Sequence, residues 1–295
     1  MIRILLIGKV GQLGWELERT LAPLGELFVV DYPEIDLADT ERVRALVRHV
    51  QPKVIVNAAA YTAVDRAESE PEVAMAVNGF APGVLAEEAK ALDAALVHYS
   101  TDYVFDGTKG EPYIETDTTN PINVYGQSKL AGEEAVQTVG GAYLILRTSW
   151  VYSLREGGFV NKVLSWARKK ETLRIVKDQV GSPTWCRMLA EVSSQLLARA
   201  GKDPDSWLRD RAGLYHLGGS GSISRYEWAQ SIIKHDPHPG DQIVQNVKPA
   251  LTEEFPTPAE RPLYTALNCE HFEAIFGLHL PNWETALRLS MEVIS

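Results

Sequence analysis

Residues 2–8, IRILLIG, form a nearly unbroken apolar run, the pattern of a strand buried on both faces. Helix signals follow from Gly11 to about Leu24 and end near Pro23 and Gly25; LFVVD then predicts a second strand closing on Asp31. Thr40 reads as the N-cap of ERVRALVRHV, in which Val43, Leu46, Val47 and Val50 recur at helical spacing. KVIVNAAA predicts a third strand, and a helical region from about Glu72 to Leu92 leads to a fourth, ALVHYSTDYVF. YGQSKLAGEEAVQ has helix composition and AYLILRTSWVY returns to a strand. Strand and helix alternating in this way predict an α/β protein with a Rossmann-type, doubly wound parallel sheet.

Beyond Tyr152 the pattern loosens. FVNKVLSWARKK and CRMLAEVSSQLLARA predict helices, LRIV and GLYHL strands, and GGSGSIS a loop. Ser224 and Glu227 fit a capping box opening RYEWAQSIIKH, FPTPAERP is too proline-rich for regular structure, and NWETALRLSMEVIS predicts a closing helix. The expected division is a main domain over 1–152 and a smaller C-terminal α/β substrate-binding lobe over 153–295, some of whose segments return to the main sheet.

The first strand runs into GKVGQLG, where Gly8, Gly11 and Gly14 recur every third residue and a helix follows. Glycines let a backbone approach a pyrophosphate, and the helix N-terminus offers free N–H groups and partial positive charge. Asp31 ends the second strand 23 residues after Gly8, close to the spacing at which an acid reaches an adenosine ribose. A carboxylate there favours NADH over NADPH; Lys9, inside the turn, can offset the repulsion, so both cofactors stay open.

Tyr125 and Lys129 in YGQSK share one helical face. A phenol titrates too high for acid–base work at neutral pH, and an ammonium one turn away favours the phenolate. The polar run Ser100, Thr101, Asp102 sits at the C-terminal end of the fourth strand, where open α/β sheets bind ligands. Thr101 there either donates to a substrate carbonyl that Tyr125 protonates or bonds its own backbone.

Composition narrows the partners. Of 295 residues, 45% are apolar and 23% charged, the profile of a soluble globular chain, and the apolar runs are too short to span a bilayer. The net charge of −10 argues against a general nucleic-acid binder but leaves room for an anionic small ligand. Two cysteines, Cys186 and Cys269, give no disulfide framework, and no secretory signal is expected; a cytoplasmic setting is the simplest.

The glycine turn, the threonine and the Y-x-x-x-K in this order resemble the extended short-chain dehydrogenases/reductases. The longer stretches GKVGQLGWEL, VIVNAAAYTAVDRAESEP, HYSTDYVFDG, PINVYGQSKLAGE, RTSWVY, DQVGSPT and FPTPAERP resemble the dTDP-4-dehydrorhamnose reductase family over nearly the whole chain. The resemblance implies NADPH- or NADH-dependent reduction of the C4 ketone of a dTDP-4-dehydro-sugar, with Tyr125 as proton donor, Lys129 as its activator and ribose ligand, and Thr101 as the donor beside the carbonyl. It also implies Gly11, Gln12 and Leu13 at the pyrophosphate, Asp31 at the ribose, Asp36 and Leu37 near the adenine, and Ala60, Tyr61, Thr62 and Tyr99 along the cofactor. Asp102 and Trp150 fall where the family contacts the sugar.

Several residues carry two readings each. Arg261 pairs with a substrate phosphate or is a solvated arginine, and Asn161 contacts the diphosphate or merely starts a helix. Trp150 stacks on the sugar or packs in the core. His98 is expected as a core or second-layer histidine, Asn57 as a residue satisfying backbone groups, and Glu68, Glu70 and Glu72 as a solvated acidic face. Glu16 and Glu292 are possible counterparts of glutamates that hold Mg2+ at a dimer contact in some relatives, although the region near Cys186 and Arg187 shows no further acid. The competing expectations are another nucleotide-sugar 4-ketoreductase or epimerase, and a non-catalytic regulatory subunit resembling the methionine adenosyltransferase β subunit.

Overall fold

The computed structural model describes residues 2–155 and 157–292. In chain order the first half comprises β1 (Ile2–Ile7), α1 (Gln12–Leu21), β2 (Gly25–Val30), α2 (Thr40–Val50), β3 (Val54–Asn57), α3 (Val64–Ala67), α4 (Pro71–Met75), α5 (Ala81–Ala91), β4 (Ala95–Thr101), α6 (Val124–Val139) and β5 (Tyr143–Thr148). The second half comprises β6 (Val151–Tyr152), α7 (Gly158–Ala167), β7 (Thr172–Val176), β8 (Val180–Gly181), β9 (Thr184–Trp185), α8 (Cys186–Ala200), α9 (Pro204–Arg209), β10 (Gly213–His216), β11 (Ile223–Ser224), α10 (Arg225–Lys234), β12 (Asn246–Ala250), α11 (Glu270–Phe276) and α12 (Trp283–Glu292).

Six strands build one parallel sheet in the order β10-β5-β4-β3-β1-β2. The apolar run of β1 is explained by its central place: Ile4 and Leu6 face the layer of α1, α8, α9 and α11, while Leu5 and Ile7 face that of α2, α5 and α6. The strand order reverses between β1 and β3, which opens a crevice at their C-terminal ends, where ligands bind in such sheets. The glycine turn closes one side of that crevice. β10, α8 and α11 follow residue 152 in sequence yet belong to this main body. A smaller core of Tyr152, Val160, Leu164, Leu173, Ile175, Trp228 and Leu287 holds the remaining lobe, with β7 and β12 paired in parallel.

The predicted doubly wound parallel sheet is present, and Ser224 and Glu227 form the expected capping box. Three details differ. Asp39, not Thr40, caps α2, because its carboxylate accepts from the Arg42 amide at 3.1 Å. The predicted helix from about Glu72 to Leu92 is interrupted by a π-turn over Ala76–Phe80, which brings Asn78 onto Ser128 of α6. GGSGSIS holds the short strand β11 at its end. α9, α11 and β12 fall outside the elements that the pattern names. The last three residues of the predicted closing helix lie outside the described residues.

Candidate active site

The glycine turn shows which of its glycines the chain itself requires. Gly8 has φ +103°, and a Cβ there would stand 2.6 Å from the Ala59 amide nitrogen; a Cβ on Gly14 would overlap the Gly8 carbonyl. At Gly11 a Cβ would meet only ordinary contact, 3.5 Å from the Gly8 carbonyl, and φ is −63°. Nothing in the fold demands that glycine. It is the N-cap of α1 and gives no side-chain cap, so the helix presents uncovered N–H groups to the crevice. Such a cradle could hold a pyrophosphate, with the bare Gly11 backbone open to its approach.

Two adjoining clefts share Ala59 and Ala60. One, of about 740 Å3, is lined by Asp31, Asp36, Leu37, Ala60, Tyr61 and Arg66 among others. The other, of about 320 Å3, gathers Gly11, Gln12, Leu13, Thr62, Tyr99, Thr101, Asp102, Tyr125, Lys129 and Trp150. The Ser100 and Thr148 hydroxyls also line it and are buried with no partner among the described residues, so they are free to meet a ligand.

In the larger cleft, Asp31 accepts from the Val10 amide at 2.7 Å and from the Tyr32 amide at 2.8 Å, fastening the end of β2 to the glycine turn. Lys9 is forked onto Glu34 at 2.8 and 2.9 Å rather than aimed at Asp31. Tyr61 donates its hydroxyl to Glu70.

In the smaller cleft, burial pushes the Tyr125 phenol well above its ordinary range, opposed by the Thr101 hydroxyl. Tyr125 therefore holds its proton. Lys129 is fully buried; its Nζ donates to the Tyr99 carbonyl at 2.7 Å and lies 3.3 Å from His98 Nε2. Burial lowers its pKa to about 8, with Glu133 pulling the other way. In this arrangement the Lys129 Nζ is given to the Tyr99 carbonyl. The Tyr99 ring packs in the core and its hydroxyl bonds Ser193 at 2.6 Å, so only its backbone touches this chemistry.

Thr101 meets a local backbone group, as one of its two readings expects. Its oxygen accepts from the Tyr103 amide at 3.1 Å, and its hydroxyl donates to Asp102 at 3.1 Å. Asp102 also takes the Ser149 hydroxyl at 2.7 Å and the Thr265 hydroxyl at 2.5 Å. Burial raises the Asp102 pKa while these hydroxyls lower it. Both of its oxygens orient hydroxyls, one on Oδ1 and two on Oδ2.

Trp150 has φ +43°, a left-handed conformation that costs a bulky residue about 1–3 kcal/mol. Gly181 makes it possible: a Cβ there would stand 2.5 Å from the indole. Over the Trp150 ring, 3.5 Å from its centre, lies the guanidinium of Arg225, which also faces Phe159 at 4.8 Å. Burial lowers the Arg225 pKa to about 10, and among the described residues no carboxylate reaches ion-pair distance of it. Sequence reasoning missed Arg225 because it reads as the first residue of an ordinary capped helix. Ser149 and Thr265 were invisible for a similar reason: they act only through Asp102.

Other residues are engaged elsewhere. Arg261 is forked onto Asp65 at 2.5 and 2.9 Å, and Asn161 gives its amide to the carbonyls of Ser153, Arg155 and Gly157. Glu16 is buried 3.7 Å from Arg187, and Glu191, which the sequence reading overlooked, adds charge beside it. Glu292 pairs with Arg288 at 2.5 Å. Among the described residues no group of three or more His, Cys, Asp or Glu side chains is arranged to hold a metal ion, and no helix is long and apolar enough to cross a membrane.

A glycine turn at the switch of a parallel sheet, facing a strand-end threonine and a Tyr–Lys pair on one helix, defines an extended short-chain dehydrogenase/reductase. The family model described as "RmlD substrate binding domain" matches residues 2–295. The chain therefore belongs to the dTDP-4-dehydrorhamnose reductase family, and it is an oxidoreductase. The dTDP-4-dehydrorhamnose reductase of Burkholderia thailandensis is 43% identical, covering 98% of this chain and 97% of that protein. A dTDP-4-dehydrorhamnose reductase structure from Clostridium acetobutylicum superposes with a TM-score of 0.90 at 33% identity, covering 99% of each chain. That from Bacillus anthracis, in complex with NADP, gives 0.89 at 32% identity and covers 100% of this chain and 99% of its own.

Proposed function

We propose that the protein reduces the C4 ketone of dTDP-4-dehydro-L-rhamnose to dTDP-L-rhamnose, using NADPH or NADH, with Tyr125 as the proton donor. The observation that carries this reading is the gathering of Thr101, Tyr125 and Lys129 into one cleft with Gly11, Gln12 and Leu13. The cofactor supplies a hydride to the ketone carbon when bound. The α1 N-terminus would hold its pyrophosphate, Asp31 its adenosine ribose, and Asp36, Leu37, Ala60, Tyr61 and Thr62 its flanks.

As negative charge builds on the ketone oxygen, the Tyr125 phenol transfers its proton there while Thr101 turns its one hydroxyl proton from Asp102 to the same oxygen. Both are neutral donors, so the site stabilises charge without adding a fixed anion. Lys129 exchanges the Tyr99 carbonyl for the nicotinamide ribose and stabilises the phenolate left on Tyr125. Solvent returns the proton. The lobe over 153–295 would hold the nucleotide diphosphate, with Arg225 and Arg261 as its cations and Asn161 beside them, and Trp150 would lie against the sugar.

The test offers dTDP-4-dehydro-L-rhamnose with NADPH or NADH and follows cofactor absorbance. Stoichiometric, substrate-dependent oxidation of one or both is expected. No oxidation with either sinks the reading, and sugar turnover without net cofactor consumption would make the protein an epimerase instead.

A further inference from the structure

Lys9 belongs to the glycine turn, one residue before the Val10 amide that Asp31 holds at 2.7 Å. In sequence its ammonium is a cation open to a phosphate on the adenosine ribose. The structure gives it another partner. Both Glu34 oxygens take Lys9 Nζ, at 2.8 and 2.9 Å, and Glu34 Oε2 also accepts from the Asp31 amide at 3.3 Å. Glu34 is thus tied both to the glycine turn and to the end of β2.

The side chains of Lys9 and Glu34 are 32% and 55% exposed, and an ion pair so open to water adds little to stability. Its consequence falls on what approaches it. The bond to Glu34 holds the Lys9 ammonium above its ordinary range, and the bond to Lys9 holds the Glu34 carboxyl below its own, so both are charged at neutral pH. Among the described residues one cation lines the adjoining cleft, Arg66, and it is engaged as well: it meets Glu70 at 2.7 Å, and Glu70 also takes the Tyr61 hydroxyl. NADH brings to Asp31 a neutral 2′-hydroxyl, which a carboxylate accepts. NADPH brings a phosphate carrying about two negative charges, which seeks an uncommitted cation and meets Asp31 and Asp36 instead.

We propose that Glu34 is a specificity-determining residue: it withholds Lys9 from a 2′-phosphate and biases the cleft toward NADH. The inference rests on the reading of Asp31 as the acid that meets the adenosine ribose. Removing the Glu34 charge should release Lys9 to the phosphate and leave the 2′-hydroxyl of NADH where it was. Glu34→Gln does this with little else disturbed, because the amide oxygen still accepts from the Asp31 backbone and the side chain is exposed.

The experiment is a fluorescence titration of the full chain with NADH and with NADPH, at low salt and without sugar, in a double-variant cycle. The wild type should bind NADH the more tightly. Glu34→Gln should tighten NADPH binding about tenfold and move NADH less than about twofold. Lys9→Met alone should cost NADPH at most about threefold, because Lys9 is already held; placed on the Glu34→Gln background it should cost about tenfold and erase the gain. A wild type that prefers NADPH, an unmoved NADPH-to-NADH ratio in Glu34→Gln, or an equal cost of Lys9→Met in both backgrounds overturns the proposal. Each of those results leaves cofactor binding, and so the reductase reading, intact. A wild type that binds neither cofactor overturns both.

Discussion

Asp31 Oδ2 accepts a hydrogen bond from the Val10 amide at 2.7 Å, so the acid proposed to meet a ribose is also the clamp on the glycine turn. Its two oxygens retain lone pairs beyond those given to Val10 and Tyr32, and a ribose hydroxyl can share them. Asp31→Ala should weaken NADH binding roughly 10- to 100-fold, as for loss of a charged hydrogen bond. NADPH should lose less, because repulsion of its 2′-phosphate disappears along with the clamp. Fluorescence titration with both cofactors checks this; equal losses would mean that the carboxylate serves the turn alone.

Tyr125 is a half-buried phenol at the cleft that keeps its proton at neutral pH. Tyr125→Phe removes one oxygen and leaves the ring edge-on to Tyr103, 5.8 Å between centres, so the fold should persist. We expect kcat to fall by about 100- to 10,000-fold, the usual worth of a positioned general acid, with cofactor affinity changed less than threefold or so. Stopped-flow turnover and cofactor titration on the same preparation separate the two effects. A variant that kept most of its rate would remove Tyr125 from the acid role.

These features differ in how legible they were. Buried parallel strands announce themselves as apolar runs, and the glycine turn and the Tyr–Lys spacing are local, so the sheet and Gly8, Gly11, Tyr125 and Lys129 could be read directly. Arg225, Ser149 and Thr265 could not: their roles arise where the second half of the chain folds back over Asp102 and Trp150, with sequence separations of up to 163 residues. The same folding back explains why Arg261 looked free in sequence yet pairs with Asp65, whereas the partners of Asn161 are carbonyls of the loop just before its own helix. β12 escaped notice because its pattern is that of an edge strand, exposed and holding Pro249.

Arg225 supplies the next prediction. Its guanidinium lies on Trp150 and, among the described residues, has no carboxylate at ion-pair distance, so its charge is available to an anion at the mouth of the cleft. Arg225→Gln should raise the KM for the nucleotide sugar about 10- to 100-fold while moving kcat much less. An unchanged KM would make Arg225 a packing residue for Trp150.

Glu133 and Arg147 form a fully buried, two-bond ion pair between α6 and β5, with side chains 1% and 4% exposed. Removing one partner strands the other charge, so Arg147→Met should cost about 3–5 kcal/mol of unfolding free energy. Joining it to Glu133→Leu removes both charges and should recover much of that loss. Urea unfolding of the two single variants and the double variant closes the cycle; a double variant as unstable as the sum of the singles would show that the pair is no more than two separate packing contacts.

His216 should set part of the acid sensitivity. It is wholly buried, its Nδ1–H donates to the Tyr113 carbonyl at 3.0 Å, and its Nε2 has no partner among the described residues. Burial, helped by the Arg147 charge, lowers its pKa to about 3, against about 6.5 in an unfolded chain. Between those values the unfolded state binds the extra proton, so the stabilising effect of a neutral His216 is complete above about pH 6.5 and is lost as pH falls toward 3. The loss approaches about 1.4 kcal/mol for each pH unit once the unfolded histidine is charged. His216→Asn keeps a donor for Tyr113 but cannot titrate. Its absolute stability should fall through lost packing against Phe105, whereas its slope of stability against pH between 7 and 5 should flatten relative to the wild type. The slope is the deciding readout: parallel curves for the two proteins would show that His216 gains its proton as readily folded as unfolded.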